Sequence, residues 1–410
     1  MTPIKFSRLY RFDPRIVDGS YFSGDALQLE RGDVVGVLLL NLGGPHKGAD
    51  VQPFLYNLFM DPAIIDIPLR GITRHLLCKL ISTLRAKKVG EDYAQIDPNG
   101  GSPINRLTEG QAQALQQNLN DRFGDPNGIT FRTYTAMRYW HPFSEEAAEQ
   151  MKRDGVTKLV FLPLYPHYSK TTTGASLVYW KVLEEFGEIP VWPSTYVQEY
   201  TLHPRYLQAL SKRIDEGLAK FPEEVRSHVH ILFSAHGTPL NEMLERGDPY
   251  CCLVHSTVEG LMRLRRNDHP FDVAFQSKVG PAKWLTPSTP AKLKELGESG
   301  KTAVLVVPIA FVTDHIETAF ELDVEVREEA KHFGIEHYEV TGGLNDHPEF
   351  IAALTESVAA QLRLNGIALL NGVPAWPERL TGRESDRKTR CENCQCIAEG
   401  HLWPGEAVVG

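Results

Sequence analysis

The chain has little cysteine: six in 410 residues, at Cys78, Cys251, Cys252, Cys391, Cys394 and Cys396. That is too few for a disulfide scaffold and makes a reducing compartment the default expectation. Long apolar runs are missing too. The longest, "VVGVLLL" at 34–40 and "AVLVVPIAF" at 303–311, fall well short of the ~20 residues that cross a bilayer and suit buried parallel strands. No long basic run exists and the formal net charge is −9, so a nucleic-acid partner has little electrostatic support. The N-terminal stretch has no uninterrupted apolar core and no small-residue cleavage pattern, which argues against a secretory signal. Its first dozen residues are basic and acid-free, weakly like an organelle transit peptide, until Asp13, Asp18, Asp25 and Glu30 break the pattern.

From residue 34 short apolar strands alternate with amphipathic stretches, the signature of parallel sheets covered by helices. The pattern predicts strands at 34–41, 130–136, 157–163, 229–235, 272–277 and 303–309. It predicts helices at 103–122, 143–154, 203–219, 289–298, 317–332 and 347–364. Three strands end in comparable polar turns, "LLLNLGGP", "VFLPLYPHYS" and "VLVVPIAFVTDH", so two similar α/β halves are expected with a cleft between them. The expected divisions are an extension over 1–33, one α/β domain over 34–198 and another over 199–345. A helix over 346–365 is expected to pack back on the core, followed by a Cys-containing extension over 366–410. Segment 51–90 is apolar yet not strand-like: Phe54, Leu55, Leu58 and Phe59 follow helical spacing until Pro62 and Pro68 break it. It reads either as a core helix or as an apolar, membrane-touching lip.

In open α/β sheets ligands bind beyond the carboxyl ends of the strands, and the unusual residues fall there. His236 closes one apolar strand in "FSAHGTP", and His315 follows another in "VTDHIETAFELD". Either alone suits a turn or cap. Together, with Asp314, Glu317, Glu321 and Asp323, they describe a base near neutrality with a path for protons. Glu317 and Glu321, four apart on a helix, repel one another and raise a pKa. Such a pair suits a proton acceptor or an oxygen-rich route for a cation. Glu325 and the acids after it read as a solvated face. Aromatic residues cluster at other strand ends, among them Tyr139, Trp140, Tyr165, His167 and Tyr168, with Arg85, Lys88, Ser102 and Arg138 as donors. Flat walls with cationic rims suit a large aromatic dianion.

Taken in order, "GVLLLNLGGP", "GGSPINRLT", "MRYWHPFSEEA", "LPLYPHYSKTTTGAS", "ILFSAHGTP", "QSKVGPAKWLTP" and "PIAFVTDHIETAFELD" resemble the ferrochelatase family from residue 34 to about 365. The resemblance implies two similar Rossmann-like domains with parallel four-stranded sheets flanked by helices, and insertion of Fe²⁺ into protoporphyrin IX with release of two protons. It implies that His236 faces the macrocycle as proton acceptor or metal-site residue, with Asp314, His315 and Glu317 on the opposite wall. Glu317, Glu321 and Asp323 match the acidic line for protons or iron, and Arg138 and Tyr139 the metal-delivery face. Trp284, Phe311 and Tyr165 fall among the pocket aromatics, Arg85, Lys88 and Ser102 at the propionate-holding positions, and Leu55, Leu58 and Phe59 on the lip. The iron is substrate. The lip implies peripheral contact with a membrane, on the cytoplasmic side of a bacterial inner membrane or the matrix side of a mitochondrial one; a homodimer is left open.

"CENCQC" places Cys391, Cys394 and Cys396 as metal-ligand candidates, and some ferrochelatases carry a [2Fe–2S] cluster on such a trio plus one upstream cysteine. Here the upstream position is Lys170, leaving Cys251, Cys252, Cys78 or His401 as the fourth ligand. Iron–sulfur bands in the visible spectrum would distinguish a cluster from zinc or no metal. Coproporphyrin ferrochelatase and cobaltochelatase are the nearest alternatives, and coproporphyrin enzymes have a shorter, less apolar lip. An inactive haem- or cluster-binding sensor of the same fold is expected to have lost His236, Glu317 or Glu321, and all three are present.

Overall fold

A computed structural model describes residues 1–22, 24–277 and 282–370. Two four-stranded parallel sheets dominate. The first has strand order β3-β2-β4-β5, from Val34–Asn41 (β2), Thr130–Met137 (β3), Lys158–Pro163 (β4) and Ser194–Tyr196 (β5). The second repeats the order as β7-β6-β8-β9, from His230–His236 (β6), Phe271–Gln276 (β7), Ala303–Pro308 (β8) and His337–Val340 (β9). Central strands β2, β6 and β8 are buried almost throughout, as parallel strands covered on both faces must be. Parallel pairing aligns the carboxyl ends: Asn41 lies opposite Met137, and His236 opposite Gln276.

A third, small sheet joins the chain's extremes. Leu27–Leu29 (β1) runs parallel to Leu362–Leu364 (β10), which pairs with Ile367–Ala368 (β11). The helix Pro348–Ala360 lies against both Ile104–Leu119 and Pro204–Leu218, so one apolar core runs from Val35 and Leu39 to Ile231 and Leu305.

Segment 51–90 is helical, in two pieces: α2 (Val51–Met60) and α3 (Gly71–Ile96). Pro62 and Pro68 fall in the linker, where no helical N–H is needed. Two buried helices, Ala175–Glu185 and Tyr250–Leu264, have no counterpart in the sequence reading. The first, "ASLVYWKVLEE", is buried nearly all round and offers no apolar stripe to read. The predicted helix 317–332 begins instead as a π-helix, Glu317–Glu325, and becomes α-helical at Val326–His332. Such widened turns are frequent at functional sites. A further helix, α1 (Pro3–Leu9), belongs to the segment read from sequence as an extension; its Phe6 and the following Tyr10 are buried against the first sheet's helices.

Candidate active site

β6 ends on His236, and the next residue must be glycine. A Cβ at Gly237 would stand 2.6 Å from the Gln276 carbonyl, to which the Gly237 N–H donates. The tight turn leaves the imidazole at the carboxyl end of the sheet, one-third exposed. Its Nδ1 lies 3.0 Å from Glu317 Oε2. Gln276 Nε2 donates to the same oxygen at 2.9 Å, and His315 Nε2 lies 3.8 Å from it. His315 Nδ1 sits 3.1 Å from the Thr313 carbonyl, which as a pure acceptor fixes the proton on that nitrogen and turns Nε2 toward Glu317. Glu317 Oε2 is thus crowded with donors.

The charges follow from this geometry. Burial alone would raise Glu317, but His236 and His315 prevail and hold it well below the usual carboxylate range. Burial would lower His236, and the Glu317 carboxylate overrides it and raises the imidazole above its ordinary value. Glu321 lies one turn on. Burial, then the Glu317 charge, push it up to about 7, although Ser277 Oγ donates to its Oε2 at 2.9 Å. The site therefore holds a fixed anion, a strengthened base and a carboxyl that exchanges protons near neutrality.

A cavity of about 790 Å³ opens beside this group, with Gln276, Ser277, Trp284 and Leu285 among its walls. Glu321, Glu325 and Glu329 lie along it. This corrects the sequence reading at Asp323, which turns away, half exposed, onto Arg327 Nη2 at 2.6 Å. Glu325 is exposed, as expected, and lies along the same cavity as Glu321. On so wide a helix residues four apart share a face and residues six apart do not.

The aromatic residues converge where the two sheets' carboxyl ends meet. The Phe311 ring is centred 4.3 Å from His315, 5.9 Å from His236 and 6.4 Å from Tyr165 of the other half. Trp284 lines the cavity with its buried indole N–H unpartnered. Arg138 and Tyr139 meet on Asp61, at 2.7 and 2.8 Å from Oδ2. Asp314 does not face the site. Its carboxylate accepts from Thr318 Oγ1, Gly343 N–H and Asn345 Nδ2, bracketing the turn that carries His315. Leu55 and Phe59 are buried and Leu58 is partly so, all packed with Cys78 and Tyr139 against the inner face of α3. Arg85 lies 5.7 Å over the Phe59 ring, and Lys88 acts on Asp92. Ser102 hydrogen-bonds Tyr93, a buried phenol within the field of Glu317.

The sequence reading missed Tyr93, Asp61, Gln276 and Ser277. The last two carried a signal, two polar residues directly after an apolar strand in "AFQSKVG". Cys391, Cys394, Cys396 and His401 lie outside the described residues. Of the other ligand candidates, the Cys78 thiol faces the Phe59 carbonyl at 3.1 Å, and burial pushes its pKa up, away from the thiolate a cluster needs. Lys170 is buried with Glu242 at 3.2 Å, so no ligand stands there. Among the described residues no group of three or more His, Cys, Asp or Glu is arranged to hold a metal ion.

A strengthened base, a fixed anion and an acid-lined cavity beside aromatic walls, set on an α/β fold, suit the removal of protons from a bound ligand. Residues 34–362 match the family model described as Ferrochelatase. The ferrochelatase of Synechocystis sp. is 46% identical over 334 residues, covering 80% of this chain and 82% of that protein. The ferrochelatase of Gloeothece citriformis is 44% identical over 340 residues, covering 81% and 83%. Among solved structures, SirB from Bacillus subtilis with Fe³⁺ aligns over 80% of this chain and 95% of its own at 12% identity and a TM-score of 0.44. The chain belongs to the ferrochelatase family. It is a lyase of haem biosynthesis whose substrates are a porphyrin and iron.

Proposed function

We propose that the porphyrin is protoporphyrin IX, taken from a membrane surface across α3. The observation that carries this is the outer face of that helix, where Ile72, Leu76, Leu80 and Leu84 recur every fourth residue and are 52–72% exposed. Lys79, Arg85, Lys87 and Lys88 share the helix and enter no ion pair among the described residues. Full burial of a Leu or Ile is worth roughly 1.5–3 kcal/mol, and each cation adds about 1 kcal/mol near anionic lipid. No helix among the described residues is long and apolar enough to cross a membrane, so the contact is with the surface. A sparingly soluble dicarboxylate benefits from such delivery, and coproporphyrin, with four carboxylates, does not need it.

In the proposed reaction Phe311, Tyr165 and Trp284 hold the macrocycle flat on one side, and remote binding energy bends a pyrrole toward His236. His236 takes each pyrrole proton. Glu317, too acidic to store one, remains charged, strengthens the base and attracts Fe²⁺. Glu321, at about 7, passes protons to Glu325 and the cavity.

Anaerobic assays with Fe²⁺ are expected to give haem from protoporphyrin at a kcat/KM at least about tenfold above that for coproporphyrin, equivalent to ~1.4 kcal/mol. The reverse preference overturns the substrate assignment. Leu80→Glu with Leu84→Glu is expected to abolish co-sedimentation with vesicles containing anionic lipid. Unchanged co-sedimentation removes α3 from the membrane contact.

A further inference from the structure

We propose that residues 3–22, which precede the segment matched by the family, brace the lip, and that Ser7 and Phe12 are positioning residues for porphyrin binding. The inference rests on reading α3 as the lip. Three contacts along one short stretch carry it, each at a point where the lip is attached.

The first is at the start of α3. A helix leaves its opening N–H groups without partners, and here another segment supplies one: Ser7 Oγ accepts from Gly71 N–H at 3.1 Å while donating to the Ile4 carbonyl at 2.9 Å. Gly71 has φ +57°, and a Cβ there would come within 2.4 Å of Arg8 Nε. The left-handed backbone there favours glycine, and a side chain would also displace Arg8.

The second is at the cleft wall. The Arg138 guanidinium is centred 5.0 Å from the Phe6 ring and 3.9 Å from Tyr179, on the arginine that shares Asp61 with Tyr139. With Tyr139, 5.2 Å away, three rings and one carboxylate confine the cation.

The third is at the linker between α2 and α3. Phe12, 44% exposed, lies 5.8 Å from Lys170 Nζ and 5.3 Å from the Arg246 guanidinium. Arg246 pairs with Asp66 of the linker and with Glu242 of the other half, which also holds Lys170. The segment is itself anchored: Tyr168 and Tyr196 hydroxyls donate to the Ile16 and Gly19 carbonyls, and Gln198 Nε2 to that of Asp18. The side-chain partners described for the His236–Glu317 pair, Gln276 and His315, lie outside it. A brace of this kind sets where the lip rests and leaves the proton chemistry alone.

The test uses the full chain, detergent-solubilised protoporphyrin and saturating Fe²⁺. Ser7→Ala and Phe12→Ala are each expected to raise the porphyrin KM roughly three- to ten-fold with kcat within about twofold. Ser7→Thr and Phe12→Tyr are expected to restore it. Amide hydrogen exchange over 61–75 should accelerate in the alanine variants, a reading that needs no turnover and so separates failure of the brace from failure of the proposed substrate. Unchanged KM and unchanged exchange overturn the proposal, as does a lower Tm with both left unaltered.

Discussion

His236→Ala is expected to lower kcat about 10³-fold while porphyrin binding survives. A positioned acid–base group contributes about 10²–10⁴ in rate, and His236 combines a raised basicity with a site beside Phe311. His315 does not replace it. Its Nδ1 proton is engaged by the Thr313 carbonyl, and Nε2 is buried without a hydrogen-bond partner behind Glu317. Porphyrin affinity should persist because the aromatic walls and lip are untouched, which fluorescence quenching on titration with porphyrin will show. A His236→Ala enzyme with turnover near that of the parent would remove the histidine from proton transfer.

Glu317→Gln is expected to act through charge, and its signature is in the pH profile. With the carboxylate present, His236 keeps its proton to a pH above 6.5, so the rate rises as pH increases through that raised value. Without it the remaining influence is burial, which disfavours the imidazolium, so the acid limb of kcat/KM should move below pH 6.5. The weaker base and the lost anion should together reduce the plateau by about 10²–10³. Glu321, relieved of its neighbour's charge, should fall from about 7 toward the ordinary glutamate value. The linkage has a definite sign. Stability from the raised His236 is complete below its unfolded value and disappears as pH rises through the folded one; stability from the depressed Glu317 is complete above about 4.5 and disappears as pH falls through its folded value. The variant should lose both dependences. An acid limb that stays in place would show that Glu317 does not set the basicity of His236.

Much of this was legible in the chain. Parallel strands buried on both faces are written as unbroken apolar runs, so β2, β6 and β8 were predicted within a residue or two. His236 and Glu317 were legible as candidates because an imidazole and carboxylates gather just past the carboxyl ends of apolar strands, where open α/β sheets bind ligands. The helix Ala175–Glu185, buried nearly all round, was not, because periodicity reports a boundary between core and water and it has almost none.

The sequence by itself determined the parallel α/β class, the family, and which residue types could carry protons. Only the tertiary structure decided which of them meet. Asp314 and His315 are adjacent in the chain, yet one brackets a turn and the other backs Glu317, since successive side chains leave a bend in different directions. Asp323 and Glu325 are two apart on one acidic run, and the width of the π-helix sends the first to Arg327 and the second to the cavity. Gln276 reaches Glu317 across 41 residues, because parallel pairing places it level with His236. A linear pattern records what each residue is able to do; distance and burial, which set every pKa here, exist only after the chain has folded.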